Sequence, residues 1–471
     1  MQDPRATTVS ADGADSGAAP VKPAPFRALA SWVLFDWAAQ PFYTLILTFL
    51  FAPYFATTVV GDEARGQQLW GYAAAAAGVI IAIGSPLLGA MADGRGRRKP
   101  WIAMFSIILA ASVSALWLAT PGASATTIFL VLLAFIIATV AAEFTQVFTN
   151  AIMPSLVPPS QLGRLSGTGW AVGYSGGLVS LLLVAGLLFV LPGTSKTVLG
   201  LDPVLKLDAV TREMDRLIGP LAAAWYLLFM IPFFLFVPDK KAVPVAGVVK
   251  GSPFAEIWDT IRSLPSHRDM LLFLLARMLY TDGLSAIFAF GGIYGAATFG
   301  WGPLELGLFG IVLTLTGAVG AVIGGVLDDR VGSKTVIVVA LALLIVGALG
   351  ILSVDKTHIL FTIDAVPKVA GSKPFSSTGE LVFLAFAVIV GVVSAPVQAA
   401  SRALLARLAP PDKITQYFGL FAFSGKVTAF LAPFLVATVT AATGSQRWGM
   451  AAILVFLVAG IVLMLPVRDR R

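Results

Sequence analysis

GAMADGRGRR, from Gly89 to Arg98, returns as GVLDDRVGSK, from Gly325 to Lys334, so that Gly89, Asp93, Gly96 and Arg98 recur as Gly325, Asp329, Gly332 and Lys334. Each copy closes a long apolar segment. A second set repeats at a constant offset of its own: Gln146, Leu156, Pro158, Pro159 and Gly167 answer to Gln398, Leu408, Pro410, Pro411 and Gly419. Two matched pairs of segments in the same order mean that one membrane unit has been duplicated within the chain.

Composition agrees, since 58% of the 471 residues are apolar and only 12% are charged, with a mean hydropathy of +0.89. Such a chain belongs in lipid rather than in water. The net charge of +7 comes from Lys and Arg residues held mostly in short loops between apolar spans, which is a membrane pattern and implies no nucleic-acid partner. There is no cysteine, and the two histidines, His267 and His358, fall in connections. Neither a metal site nor a cofactor is expected.

A helix needs about 20 apolar residues to cross the hydrocarbon core, and twelve such spans are expected, six in each half. They run near Ala28–Thr57, Trp70–Ala92, Trp101–Ala119, Thr126–Met153, Leu165–Leu191 and Leu217–Val237 in the first half. In the second they run near Met270–Phe299, Leu304–Leu327, Thr335–Leu352, Leu381–Leu408, Tyr417–Thr440 and Trp448–Val467. The fold class is an all-α membrane protein of twelve transmembrane helices in two pseudo-symmetric six-helix bundles, numbered here helix 1 to helix 12. The expected domains are a disordered cytoplasmic tail at 1–27, bundles at 28–238 and 270–471, and a cytoplasmic linker at 239–269. Within that linker Phe254, Ile257, Trp258, Ile261 and Leu264 share one helical face behind Ser252 and Pro253, which predicts a short helix lying on the membrane surface. Lys and Arg concentrate in the tail, the even-numbered loops and the C-terminus, so both termini are expected to be cytoplasmic.

An ionised side chain in lipid costs several kcal/mol unless it meets water or a partner. Away from span ends the charges are Asp36, Glu143, Arg277, Asp282, Arg402 and Lys426, on helices 1, 4, 7, 10 and 11. Helices 1, 4, 7 and 10 occupy equivalent positions in the successive three-helix units, where a central pathway is expected to form, and the pattern picks out one cavity. Helical spacing adds Gln40 beside Asp36, Gln146 and Asn150 beside Glu143, and Gln398 beside Arg402. These ten residues are the expected solute-binding and coupling set; ion pairs that only glue helices together are the bland alternative. Asp36, Glu143 and Asp282 are the candidates for carrying a coupled proton. Helix 1 is expected to bend at Pro41, which removes a backbone donor.

Each repeated aspartate sits at the C-terminal end of its helix, where the dipole disfavours negative charge, and therefore needs a positive partner or the N-terminus of a neighbouring helix. Asp93, Arg97, Arg98, Asp329 and Lys334 are assigned to conformational gating on this ground. Gly169, Gly173 and Gly177 lie four apart on helix 5 and predict close approach of a neighbour. Their Gly-x-Ser-x-Gly match has no histidine in any span to act as base, so no enzyme is expected. A phosphate-binding Gly-x-x-x-x-Gly-Lys-Ser/Thr loop is also absent, which leaves an ion or solute gradient as the energy source.

The repeated loops resemble the signature of the major facilitator superfamily. More narrowly, SWVLFDWAAQPFYTLILTFLFAPYF (Ser31–Phe55), LLARMLYTDG (Leu274–Gly283), SRALLARLAPP (Ser401–Pro411) and QYFGLFAFSGK (Gln416–Lys426) resemble the vacuole effluxer family, which includes fungal vacuolar amino-acid exporters and many bacterial members. Ala39, Gln40 and Pro41 stand where that family often has Asn, Ser and a small residue, and Gln416 where it often has Glu. The resemblance implies a secondary carrier working as a monomer by alternating access in a bacterial inner membrane. Its partners would be the bilayer, a small polar solute, most readily an amino acid, and protons. Sugars or other polar metabolites are the alternative solutes, and a membrane sensor without transport is the alternative class.

Overall fold

The computed structural model describes residues 22–239 and 253–469, apart from 191–193, 198, 206 and 369–372. Residues 1–21 of the expected disordered tail and 240–252 of the linker lie outside the described residues. Among the described residues eleven helices are long and apolar enough to cross a membrane: Phe26–Val59, Glu63–Arg95, Lys99–Leu118, Ala125–Ser155, Pro159–Leu187, Glu213–Phe236, Arg268–Phe299, Leu304–Val331, Ser333–Leu352, Thr378–Leu408 and Gln446–Met464. They are helices 1 to 10 and helix 12.

Helix 11 departs from expectation. Instead of one span it forms two helical arms, Ile414–Ser424 and Leu431–Thr443, joined by turns. Pro433 supplies the cause: its ring has no N–H to donate and collides with the carbonyl four residues back, at Ala429. The ladder is replaced locally by shorter bonds, with Ala429 N donating to Lys426 O and Leu431 N to Thr428 O. At Pro41, where a bend is expected, helix 1 changes type: the α-helix Phe26–Pro41 passes into π-helical turns over Phe42–Phe49.

Helix ends follow their side chains. Asp62 caps helix 2 by accepting from Arg65 N at 3.0 Å, and Ser377 and Glu380 form a capping box on helix 10. Gly96 and Gly332, the repeated glycines of the two loops, end helices 2 and 8 with φ of +74° and +92°, a backbone region in which a side chain is strained. Ile83, Leu228 and Phe434, among other large apolar side chains, are exposed on the outer faces of the bundles where lipid tails would meet them.

Helix 1 packs on helix 5 and on helix 6 in the first half, and helix 8 packs on helix 10 and helix 7 on helix 12 in the second. Among the described residues the two most extensive contacts between the halves are helix 5 on helix 8 and helix 2 on helix 11, with helix 10 on helix 5 and helix 11 on helix 4 beside them. They are the same contact seen twice, because the duplication relates helix 2 to helix 8 and helix 5 to helix 11. The linker forms a helix at Pro253–Ser263, leaving Phe254, Trp258 and Ile261 exposed on one face. Its Glu256 carbonyl accepts from Gln416 Nε2 at 3.4 Å, which ties it to helix 11.

Candidate solute cavity and inter-bundle contacts

Between the halves lies a cavity of about 390 Å³ lined by both. Nine of the ten residues expected to meet there do so: Asp36, Gln40, Glu143, Gln146 and Asn150 from the first half, and Arg277, Gln398, Arg402 and Lys426 from the second. Asp282 corrects the expectation. It is buried beside this cavity without lining it, because the lining takes Thr281, Leu284 and Ser285 from the same stretch of helix 7. Sequence reasoning missed Trp170, Tyr174, Tyr280 and Phe421, whose apolar bodies read as ordinary membrane residues.

The acidic and basic walls pair directly. Arg402 of helix 10 is 3% exposed, and its Nη1 lies 3.2 Å from Asp36 Oδ2. The same Nη1 donates to Asn150 Oδ1 at 3.2 Å, while Nε and Nη2 donate to the Ser166 hydroxyl and carbonyl at 2.8 and 2.6 Å. Its guanidinium also stands 5.0 Å from the Trp32 ring. Every one of these partners belongs to the first half, so Arg402 is a peg from one bundle seated in the other. The absent side chain of Gly169 makes room for it, since a Cβ there would lie 2.4 Å from Asp36 Oδ2 and 2.9 Å from Arg402 Nη2. The small-residue spacing on helix 5 thus serves a polar seat as well as close helix packing.

A second pair joins Lys426 Nζ to Glu143 Oε1 at 3.0 Å across the cavity. Arg277 is different. Its Nη1 donates to the Ser424 hydroxyl at 2.7 Å and to the Phe421 carbonyl, with the guanidinium 3.4 Å over the Phe421 ring. It has no carboxylate partner among the described residues.

The repeated loops hold the bundles together at one end. Asp93 accepts from Thr415 N at 3.2 Å and Gln416 N at 2.8 Å, at the start of helix 11, and pairs with Arg98 at 3.2 Å. Asp329 does the equivalent for helix 5, accepting from Gly163 N at 2.9 Å and Arg164 N at 3.2 Å. Each aspartate therefore meets the positive end of a helix dipole in the opposite half.

Two expected partners are corrected here. Lys334 does not pair with Asp329; its side-chain Nζ turns away to donate to the Leu465 carbonyl, and its backbone N–H donates to the Asp469 carboxylate of the C-terminal segment. Arg97 is exposed and in no ion pair among the described residues. The cations by Asp329 are instead Arg407, 3.7 Å away, and Arg164, 3.8 Å away across the bundle interface, and Arg407 also holds Asp328 at 2.7 Å. Arg407 was legible in SRALLARLAPP only as a charge at the end of a span, because nothing in a linear sequence says that the end of helix 10 reaches the end of helix 8.

Solved structures share this architecture. The human organic anion transporter MFSD10 is 18% identical, with a TM-score of 0.65 over 93% of this chain and 99% of that one. The fucose transporter FucP in its outward conformation gives 0.67 at 14% identity over 94% and 99%. At such identities the likeness speaks for the fold, which is the major facilitator fold. Among curated relatives, the MFS-type transporter YxiO of Bacillus subtilis is 24% identical over 92% of this chain and 93% of its own. Autophagy-related protein 22 of Cryptococcus neoformans is 28% identical over 308 residues, and the chain spans about half the length of that fungal relative. The chain is thus a multi-pass membrane carrier of the major facilitator type, and residues 69–471 match the family described as vacuole effluxer Atg22 like, to which the chain belongs.

Proposed function

We propose that the chain carries a small solute bearing a carboxylate, an amino acid in the first instance, through the cavity between its bundles. One observation carries this reading: of the three cavity cations, Arg402 and Lys426 are in ion pairs with Asp36 and Glu143, and Arg277 is in no ion pair among the described residues. An unpaired guanidinium at membrane depth costs about 3 kcal/mol on insertion scales. A solute carboxylate would supply the missing charge in the planar geometry that arginine favours. Gln146, Gln398 and the free lone pairs of Glu143 are acceptors for an ammonium group in the same cavity.

The paired aspartates at the loop-bearing end act as the gate in this reading. Asp93 and Asp329 hold that end shut, with Arg98 and Arg407 as their cations, and alternating access proceeds by parting these two contacts. We place both termini in the cytoplasm of a bacterium with the carrier in its plasma membrane as a monomer; the Lys and Arg distribution supports that orientation.

The test is uptake of radiolabelled amino acids and sugars into proteoliposomes, comparing wild type with Arg277→Gln. Saturable amino-acid uptake that is lost in the variant supports the reading. Uptake of sugars alone, or amino-acid uptake indifferent to Arg277→Gln, sinks it. A hydroxyl-rich solute is the second reading, favoured by the uncharged polar side chains of Gln40, Tyr43, Gln146, Asn150 and Gln398 in the lining.

A further inference from the structure

Of the six charges that stand away from span ends, Asp282 is the one that does not line the cavity among the described residues. It is 2% exposed, and neither carboxylate oxygen has a hydrogen-bond partner in good geometry, nor has the Thr428 hydroxyl that faces it from helix 11. The charged group near it is Arg277 on its own helix, whose guanidinium is committed to Phe421 and Ser424 and forms no ion pair with it. The atoms nearest the adjoining Gly283 belong to Phe456 and Leu457 of helix 12, both apolar. An ionised carboxylate in these surroundings would be a bare charge in a low-dielectric interior, at a cost of several kcal/mol. A neutral carboxylic acid removes that cost and needs no room for a larger ion.

We propose that Asp282 binds the coupling proton of this carrier, at a site behind helix 7 that is separate from the solute cavity and built against the break in helix 11. The proposal deepens the reading above; it rests on the chain being a carrier and not on which solute it carries. The coupling follows from where the break lies. The non-helical segment Gly425–Phe430 places Lys426 in the cavity, 3.0 Å from Glu143, and two residues later turns Thr428 toward Asp282. A stretch without a continuous ladder shifts more readily than a helix, so parting Lys426 from Glu143 moves Thr428 and admits water to Asp282. There the O–H bond breaks, its electron pair stays on the carboxylate oxygen, and the proton passes to that water on the side to which the carrier is open. Linkage makes the effect reciprocal: protonating Asp282 favours the arrangement in which Lys426 and Glu143 are paired.

Infrared spectroscopy of the purified full chain in detergent tests this without any solute. At neutral pH, wild type should show the carbonyl stretch of a protonated carboxylic acid that disappears in Asp282→Asn and persists in Asp36→Asn. A band that survives Asp282→Asn overturns the proposal. So does a carboxylate band of Asp282 that responds to sodium rather than to pH, which would make this a metal-cation site. Should Asp282→Asn fail to fold by gel filtration, Asp282→Glu replaces it, and the proposal then requires the acid band to move in frequency; an unmoved band overturns it. In proteoliposomes given a mixture of radiolabelled amino acids, an inward proton gradient should raise wild-type uptake and leave Asp282→Asn uptake at its no-gradient level. An equal response in both overturns the coupling role. Because the infrared result needs no transport, a wrong solute class and a wrong proton site give different failures.

Discussion

Arg402 Nη1 donates to Asn150 Oδ1 at 3.2 Å, and the two residues stand 252 apart in sequence, the offset that relates Gln146 to Gln398 and Gly167 to Gly419. Each is the other's counterpart in the duplicated unit. They meet on the pseudo-symmetry axis between the bundles, and the duplication has put a cation on one side of that axis and an amide acceptor on the other.

Truncating this peg leaves Asp36 buried without its cation. Arg402→Ala should cost about 3–5 kcal/mol, the usual penalty for removing one member of a buried pair, read as a lowered thermal midpoint in detergent. Replacing both partners, with Asp36→Leu and Arg402→Met together, should recover most of the loss. A double variant no better than Arg402→Ala would show that the pair is not what holds that seat.

Gly169→Ala puts a methyl group where only 2.4 Å separates a Cβ from the Asp36 carboxylate. Overpacking of this kind costs about 1–3 kcal/mol. In an Asp36→Ala background the same substitution should cost much less, and a double-mutant cycle on thermal unfolding measures the difference. Additive effects would mean that the glycine serves some other contact.

The gate can be read with a thiol, because the chain has no cysteine of its own. A single Gln398→Cys, lining the cavity, should resist an impermeant maleimide added from the loop-bearing side. Adding Asp93→Asn or Asp329→Asn weakens two charge-assisted hydrogen bonds, each worth at least about 1.5 kcal/mol, so labelling from that side should rise tenfold or more. Lys334→Ala should leave labelling unchanged, since that lysine bonds the C-terminal segment instead. Equal labelling in Asp329→Asn and its parent would remove the gating role.

Outside the membrane, Asp355 accepts from Thr357 N and His358 N at 2.8 and 2.7 Å and pairs with Arg447 at 3.0 Å. Burial pushes its carboxyl up, but these hydrogen bonds outweigh it and hold the group well below the usual carboxylate range. A depressed value in the folded state means stability present above the unfolded value, about pH 4, and lost as pH falls further toward the folded one. Both partners are about a third exposed, so the Arg447 pair is worth at most about 1 kcal/mol. Thermal unfolding of Arg447→Gln should approach wild type as the pH is taken below about 4; a constant gap would contradict this.

The duplication, the spans and the cavity charges were legible because each leaves a mark on the linear sequence: Asp36, Glu143, Arg277, Arg402 and Lys426 stand out against apolar neighbours. Their pairing was not, since Asp36 and Arg402 lie 366 residues apart and only packing decides which cation meets which acid. Asp93 and Asp329 were readable as aspartates in need of a helix N-terminus, whereas Arg407 in place of Lys334 depended on the path of helix 10. Pro433 was the overlooked signal. Its position eight residues beyond Gly425 within an apolar run pointed to the break in helix 11 on the same grounds that Pro41 pointed to the change in helix 1. Asp282 looked like its neighbours because spacing along a helix does not say which face turns inward.

That break also makes the two halves mechanically unequal. Gly425 of helix 11 corresponds to Gly173 of helix 5, yet helix 5 runs unbroken through Gly173 and helix 11 does not, because Leu181 stands where helix 11 has Pro433. The duplicated unit has therefore kept one stiff rod and turned its twin into a jointed one. Motion between the bundles would concentrate at that joint, with the first half serving as the frame and the second as the working arm.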